Sequence, residues 1–327
     1  MPLTEENVDS HIARWEEYYR NRPYPHRVKW PSRLFHHAPL ENAVEIIQQG
    51  VIRARNDPAN GMPRDVAGQA VIGLRNYAHG FVRFYFRPRT PTQFYVEGVR
   101  KVEDCEDFGV HAPVLVMFVF SAKPILTKEN TRFSDENMQR GSAQVGDDYE
   151  FLQSIPFEKV YHEGGLCGDR SIIGHRCAEV LATSPLELAG NLQWVYCRSE
   201  AERQTLLHKL GPVSDEWRDR IRVSDDIKVF HRLLSYVEFV QLASDRIIFE
   251  LHPRNDGRTV AIKIEVYDPI GDRLVYFENN AFSPYPPNGK RWFYQANFSP
   301  NIPYDVLIDL EGHKAFEARL TFGESLI

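Results

Sequence analysis

The hydrophobic pattern of the chain changes near Asp225, and this change constrains the possible fold more than any other feature. Beyond it, short runs in which apolar and polar residues alternate recur about every ten residues, with turn residues between them. The runs are RIIFELHP, TVAIKIEVYD, RLVYFEN, RWFYQANFS, YDVLIDLE and AFEARLTF, and the turns include NDG, PIGD and PPNG. Such a pattern is typical of antiparallel sheets and predicts a small all-β sandwich.

Ahead of this point the chain mixes helix and strand patterns. Helices are predicted over residues 5–20, over the run ENAVEIIQQ up to Gly50, and over residues 199–210, where Ser199 is a preferred N-cap. Strands are predicted at FVRFYF, PVLVMFVF, CAEVLA and LQWVYC. The fold class is therefore α+β, with a mixed α/β domain followed by a small all-β sandwich domain.

The length of 327 residues suggests two domains of roughly 150 residues each. Four consecutive segments are expected. They are an N-terminal helix with a basic and aromatic arm (1–33), the mixed α/β domain (34–211), a linker (212–235) and the β-sandwich accessory domain (236–327).

Composition excludes several classes of protein. Hydrophobic residues form 43% of the chain and charged residues 26%, as in globular rather than disordered proteins. No apolar run approaches the roughly 20 residues of a membrane helix, and the opening residues MPLTEENVDS lack the pattern of a secretory signal. We therefore expect a cytoplasmic protein with no membrane partner. Four cysteines and twelve histidines show no metal-ligand spacing, so no metal is expected.

The net charge of −6 provides no overall attraction to nucleic acid, so any such binding requires a local patch. The arm RNRPYPHRVKWPSR (20–33) interleaves basic side chains with aromatic rings. This mixture suits single-stranded nucleic acid, because guanidinium groups neutralise phosphates while aromatic faces stack on unpaired bases. The alternative is an arm that packs against its own domain.

The chain has no P-loop, G-x-G-x-x-G, H-E-x-x-H or G-x-S-x-G motif, which excludes the commonest nucleotide-binding and hydrolase sites. Three other segments stand out: LFHHAPLENAVEIIQQGVI (34–52), HGFVRFYFRPRTPTQFY (79–95) and HRCAEVLATSPLEL (175–188). In the third, Glu179 interrupts an apolar strand, where a buried carboxylate costs free energy unless a site uses it. The alternative is a glutamate that faces solvent.

The second segment places prolines on both sides of Arg89. Pro88 and Pro91 restrict the backbone there and would aim the guanidinium in one direction. The alternative is an arginine that only forms a structural salt bridge.

These three segments resemble the DarT family, toxin-like ADP-ribosyltransferases that transfer ADP-ribose from NAD to a nucleobase of single-stranded DNA, usually thymidine. Related enzymes modify guanosine or RNA. The resemblance covers about residues 31–211. It implies an ADP-ribosyltransferase-type mixed α/β domain, NAD as a substrate and single-stranded DNA or RNA as the acceptor. It also implies an antitoxin protein as partner and a role in phage defence or growth control.

By this resemblance, His36 and Asn42 would hold NAD, with His37 in place of His36 if the register differs by one residue. The family also places an arginine on NAD in the loop before the second segment. Arg64 fits the expected separation better than Arg75.

The remaining site residues follow from the second and third motifs. Tyr85 and Tyr95 stand at aromatic positions that would contact NAD, and Arg89 would organise NAD and acceptor for catalysis. Glu179, within Arg-Cys-Ala-Glu-Val-Leu, would be the catalytic glutamate. Its carboxylate would stabilise the positive charge that develops on the ribose as nicotinamide leaves, or accept the proton of the attacking base.

The chain departs from the family at Arg83, where members usually carry a proline. This added charge leaves the acceptor open between DNA and RNA, and a protein acceptor is a third alternative. A catalytically silent protein that binds nucleic acid or a partner is also an alternative, but the intact set of His36, Arg89 and Glu179 argues against it.

The glycine-rich segment YHEGGLCGDRSIIGH precedes the catalytic motif and is, by analogy, a mobile substrate-recognition loop. Its residues His162, Arg170 and His175 are candidates to contact phosphate or base.

Overall fold

The computed structural model of the protein describes residues 2–61, 63–64, 76–101, 104, 111–138, 140–286 and 291–322. The chain divides into two compact units. The first comprises Met1–Tyr95, Val116–Tyr196 and Ser224–His231, and the second comprises Val96–Leu115, Cys197–Val223 and Arg232–Ile327. Each unit gathers separate stretches of chain. That the four segments expected from the sequence are independent domains stays a prediction.

Short helices and strands alternate along the first unit. Its helices are α1 (Glu5–Tyr19), α2 (Leu40–Gln49), α3 (Pro91–Val96), α4 (Ala122–Leu126), α5 (Tyr149–Ser154), α6 (Phe157–Val160) and α7 (Ser171–His175), with 3-10 helices at Pro25–Lys29 and Asn76–Gly80. Its strands are β1 (Arg33–Pro39), β2 (Val51–Ile52), β3 (Phe81–Tyr85), β4 (Leu115–Ser121), β5 (Arg132–Ser134), β6 (Val145–Gly146), β7 (Glu179–Thr183), β8 (Leu186–Glu187) and β9 (Leu192–Cys197).

Local sequence explains where these helices begin and end. A capping box starts α1, in which Thr4 and Asn7 each accept a hydrogen bond from the other's backbone N–H. Helix α2 ends at Gly50, whose φ of +70° lies in the left-handed region that glycine adopts without strain. Both predicted helices are confirmed.

Seven strands of the first unit lie side by side in the order β9-β4-β1-β3-β7-β5-β6. The apolar run PVLVMFVF supplies β4, in which every residue except Ser121 is buried, as a central strand requires. Strand β3 pairs antiparallel with both β1 and β7, so that Tyr85 lies opposite Phe35 on one side and opposite Glu179 on the other. The three motif segments therefore meet on adjacent strands.

The N-terminal arm packs against the first unit, which was the alternative to a free nucleic-acid-binding arm. Trp30 is fully buried and donates its indole N–H to the carbonyl of Ile227 at 2.9 Å. Arg27 is also buried and donates to the carbonyl of Tyr161. Tyr24 is the exception, with 45% of its surface exposed.

The second unit contains the predicted all-β module. Its helices are α8 (Glu200–Leu210) and α9 (Ser214–Trp217), with a 3-10 helix at Gly211–Val213. Ser199 caps α8 as predicted, accepting from the N–H of Glu202 at 3.1 Å. Its strands are β10 (Ile221–Val223), β11 (Val237–Ala243), β12 (Arg246–Leu251), β13 (Val260–Tyr267), β14 (Arg273–Phe282), β15 (Trp292–Gln295), β16 (Pro303–Leu310) and β17 (His313–Thr321).

Two antiparallel sheets share one core in this module. Their strand orders are β11-β12-β15 and β14-β13-β16-β17. Alternate residues of β13 and β16 are buried, and residues from both sheets belong to one hydrophobic cluster. This arrangement confirms the predicted sandwich. The predicted PPNG turn lies largely outside the described residues.

Candidate active site

A cleft of about 240 Å³ opens in the first unit. The end of β1, helix α2, strand β3 and the segment that follows β2 line it. Its lining residues are His36, His37, Ala38, Pro39, Asn42, Glu45, Ile46, Gln49, Val51, Ile52, Arg53, Arg55, Asn60, Arg64, His79, Phe81, Arg83 and Tyr85. The structure therefore brings together four residues expected to hold NAD: His36, Asn42, Arg64 and Tyr85. The alternative His37 lies there too.

Glu179 is connected to this cleft through an ion pair with Arg83. Its carboxylate accepts two hydrogen bonds from the guanidinium, from Nε at 2.5 Å and from Nη2 at 2.6 Å. The Glu179 side chain is 1% exposed, whereas that of Arg83 is 27% exposed and lines the cleft. The carboxylate is thus held inward by a two-point charged contact and does not face solvent.

Strand register places Arg83, Tyr85 and Glu179 on one face of the sheet. Tyr85 lies directly opposite Glu179, and Arg83 lies two residues earlier on the same strand. Burial and the nearby Glu179 charge raise the pKa of the Tyr85 phenol above its usual range. Burial alone would lower the pKa of Arg83, but Glu179 outweighs it and raises this pKa. The face therefore carries a neutral phenol beside a charged pair.

The two adjacent histidines point to different neighbours. His37 stacks on Tyr85 with 5.7 Å between ring centroids, whereas the ring of His36 meets the edge of Phe84. His36 donates its Nδ1–H to the carbonyl of Arg83 at 2.9 Å. Burial lowers the pKa of His36, and burial together with His36 lowers the pKa of His37 to about 3. Both imidazoles are therefore neutral near pH 7.

Asn42 and Arg64 are joined by a reciprocal pair of hydrogen bonds. The Asn42 amide donates to the carbonyl of Arg64 at 2.8 Å and accepts from its backbone N–H at 2.9 Å. Since Asn42 lies in the first turn of α2, these bonds hold the chain around Arg64 against the helix start. The other loop candidate, Arg75, lies outside the described residues.

Arg89 and Tyr95 lie away from the cleft lining. Arg89 donates from Nη2 to Glu163 at 2.7 Å and to His26 at 3.0 Å, and its φ of +54° is rare for a residue with a side chain. Tyr95 is half exposed and packs edge-on against Phe94. The roles expected for these two residues stay predictions.

The glycine-rich segment before Glu179 is tied down by several contacts. His162 accepts from Arg176 at its Nδ1, and His175 donates from Nδ1 to the carbonyl of Asp135 at 2.8 Å. Arg170 is exposed. The proposed contacts of these residues with phosphate or base stay predictions.

Sequence reasoning missed the part that Arg83 plays. The sequence shows it only as an added charge near the strand, whereas the structure makes it the partner of Glu179. Its spacing of two from Tyr85 places both on one strand face, but only the pairing of β3 with β7 shows which carboxylate they meet. Arg53 and Arg55 also line the cleft, and no motif includes them, whereas His79, which lines it too, begins the second motif segment without having been assigned a role.

Comparison with known proteins identifies the family. The family model for the ssDNA thymidine ADP-ribosyltransferase DarT matches residues 35–231, more than half of the chain. The chain belongs to the DarT family. It is therefore an NAD-dependent ADP-ribosyltransferase of the type that modifies a base of single-stranded DNA, and the resemblance in its motifs is confirmed. NAD is its substrate.

Several solved structures are similar to the chain. Thermus sp. 2.9 DarT in complex with carba-NAD+ is 18% identical, with a TM-score of 0.45, and the match covers 60% of this chain and 97% of that one. The same DarT in complex with ADP-ribosylated ssDNA is 17% identical, with a TM-score of 0.45, and the match covers 60% of this chain and 96% of that one. Thermosipho africanus DarTG in complex with ADP-ribose is 13% identical, with a TM-score of 0.41, and the match covers 61% of this chain and 51% of that one. No curated protein matches the chain.

Two further findings concern ligands and membranes. In the part of the chain that the structure describes, no group of three or more His, Cys, Asp or Glu side chains is arranged to hold a metal ion. No helix of the same residues has the length and apolar character to cross a membrane. The expected cytoplasmic location stays a prediction.

Proposed function

We propose that the cleft binds NAD and that Glu179 promotes transfer of its ADP-ribose to a thymine base of single-stranded DNA. The buried Glu179 carboxylate, held by the cleft-lining Arg83, carries this proposal. The cleft also presents imidazole, amide and guanidinium groups, which suit the phosphates, ribose hydroxyls and carboxamide of NAD.

In the proposed reaction, a ring nitrogen of thymine forms a bond to the ribose carbon that carried nicotinamide. The bond to nicotinamide breaks, and nicotinamide leaves with the bonding electrons. The Glu179 carboxylate stabilises the positive charge that develops on the ribose and accepts the proton that the thymine nitrogen loses. Arg83 is a positioning residue, because its guanidinium donates a hydrogen bond to each oxygen of the Glu179 carboxylate. His36, Asn42 and Arg64 would hold NAD.

Transfer of labelled ADP-ribose tests this assignment. Purified protein is incubated with NAD and either single-stranded DNA or RNA of the same sequence. We expect Glu179→Gln to lower transfer to DNA about 1000-fold, because the neutral amide can neither take the proton nor stabilise the charge.

The matched control is Glu187→Gln on β8, which removes an exposed carboxylate and should leave transfer unchanged. Full activity in Glu179→Gln would remove this glutamate from the mechanism. Label on RNA alone would favour the RNA acceptor over DNA.

We also propose that an antitoxin protein restrains the enzyme, and that its activity serves growth control or phage defence. Expression of the active chain without a partner should then arrest growth, and Glu179→Gln should not. Equal arrest by both forms would favour the catalytically silent binding protein.

A further inference from the structure

Four arginines of the first unit gather around a single carboxylate away from the cleft lining. Glu163 accepts from Arg87 at 2.5 Å and from Arg89 at 2.7 Å. Arg176 donates to the carbonyls of His162 at 3.1 Å and Gly164 at 2.8 Å, beside Glu163. The fourth, Arg27 of the N-terminal arm, packs its guanidinium 4.2 Å above the ring of Tyr19 and 5.5 Å from that of Tyr24.

The charges of this cluster do not balance. Four guanidinium groups carry positive charge, and Glu163 is the carboxylate that acts on all four. Burial, opposed by Glu163 but reinforced by Arg176 and Arg89, lowers the pKa of Arg87 to about 10. Burial and Arg89 lower the pKa of His26 to about 4, so this imidazole is neutral near pH 7. Such a cluster favours the arrival of an anion.

The arginines of this cluster differ in whether they can bind a ligand: Arg87 is fully engaged with the protein, whereas Arg89 and Arg176 are not. Arg87 is 2% exposed and donates to the carbonyls of Pro88 and His162 as well as to Glu163. Arg89 and Arg176 are each more exposed. Among the described residues, Nη1 of each has no hydrogen-bond partner, since their bonds are made by Nε and Nη2 of Arg176 and by Nη2 of Arg89. These two groups can still bind an oxyanion.

An aromatic ring lies next to this set. Tyr24 is 45% exposed, and its hydroxyl lies close to Gly164, where an added Cβ would be 3.0 Å from it. Arg176 donates to the carbonyl of the same glycine. An exposed ring beside guanidinium groups is the combination by which proteins hold a phosphate and stack the adjoining base of a single strand.

We propose that Arg89 and Arg176 bind one backbone phosphate of the acceptor strand and that Tyr24 stacks on a neighbouring base. This inference rests on the proposed function, because it takes single-stranded DNA as the acceptor. It extends that function by adding a strand-binding site that includes the N-terminal arm, which lies before the matched residues 35–231. The chemistry recognised is a phosphate oxyanion, for which the phosphates of NAD are the other possible source.

Equilibrium binding of oligonucleotides tests the site without requiring catalysis. A fluorescent strand with one thymidine is titrated by anisotropy without NAD, and each phosphate is replaced in turn by a neutral methylphosphonate. We expect one linkage near the thymidine to raise Kd about tenfold, as for loss of one charge-assisted contact. In Arg89→Ala, where only Arg176 still contacts that phosphate, neutralising the linkage should cause a smaller rise. Loss of the contact should also reduce the slope of log Kd against log salt by about 0.7.

Controls separate the site from folding and from the proposed function. Arg218→Ala removes an exposed arginine of the second unit and should leave Kd within about twofold. Arg176→Lys keeps the charge and should weaken binding less than Arg176→Ala. The methylphosphonate scan on the unaltered protein remains decisive if an alanine variant unfolds.

Three outcomes would overturn the site. The first is that no methylphosphonate linkage raises Kd, and the second is that each linkage raises Kd equally in the unaltered protein and in Arg89→Ala. The third is that Arg89→Ala raises the KM for NAD and leaves the Kd for the strand unchanged. The last result would assign the cluster to NAD. Binding with the expected sensitivity but no transfer on adding NAD would instead refute the proposed function while leaving the strand site in place.

Discussion

At the scale of single residues, the ion pair of Arg83 and Glu179 dominates the site. A carboxylate that is 1% exposed in an apolar strand requires compensation, and Arg83 provides it with two hydrogen bonds. By the resemblance of its motifs, Arg83 stands where family members usually carry proline, and it pairs the proposed catalytic carboxylate with a cation on the adjacent strand. The charge that looked like a departure in the sequence thus has a structural partner.

A double-mutant cycle measures this coupling through stability. Arg83→Met leaves Glu179 buried without its partner and should lower the free energy of unfolding by about 3 kcal/mol. Glu179→Met should also destabilise, but the double variant should cost less than the sum of the two, because no uncompensated charge remains. Urea unfolding gives all three values, and simple additivity would contradict the coupling.

At the scale of elements, helix α2 links backbone geometry to the site. It begins directly after β1, so Asn42 in its first turn faces the cleft and holds Arg64 through two hydrogen bonds. It ends at Gly50, whose backbone is left-handed. The end of the helix therefore depends on a residue without a Cβ.

Replacing Gly50 by alanine isolates this backbone requirement. Nothing lies within 4 Å of an added Cβ there, so the cost arises from the φ of +70° alone and should be about 1 kcal/mol of unfolding free energy. Gly80 is the matched control, because an added Cβ there also meets nothing within 4 Å and its φ is not positive. Gly80→Ala should be neutral or slightly stabilising. Equal losses in urea unfolding of the two variants would rule out the left-handed backbone as the cause.

At the scale of the whole molecule, charge distribution determines how nucleic acid is approached. The chain carries 39 basic and 45 acidic residues, a net charge of −6, so it repels a polyanion overall. The arginine cluster around Glu163 is local. We therefore expect this cluster to attract only a short stretch of the phosphate backbone of single-stranded DNA.

Acceptor length tests this local attraction. Lengthening a single-thymidine oligonucleotide from about 8 to about 24 nucleotides should change its KM less than about threefold, because the proposed strand site holds a single backbone phosphate and added phosphates lie outside it. Transfer rates at several oligonucleotide concentrations give KM for each length. A KM that falls steadily with length would instead indicate a long basic track.

The sequence by itself determined the local elements and the chemistry of single motifs. Hydrophobic periodicity and capping residues were enough to predict α1, α2, α8 and the buried strand β4. The regular alternation of apolar and polar residues beyond Asp225 was enough to predict the sandwich. These signals act between neighbours along the chain. The motifs around His36, Asn42 and Glu179 were likewise sufficient to place the chain in its family.

Only the tertiary structure decided the rest. It decided the pairing of Arg83 with Glu179, the packing of the basic arm, and the gathering of Arg89 and Arg176 around Glu163. Arg89 and Glu163 are 74 positions apart in the sequence, and Arg83 and Glu179 are 96 apart. These contacts depend on strand register and burial. Such contacts form when separate elements meet, and no local pattern in the chain encodes which elements will do so.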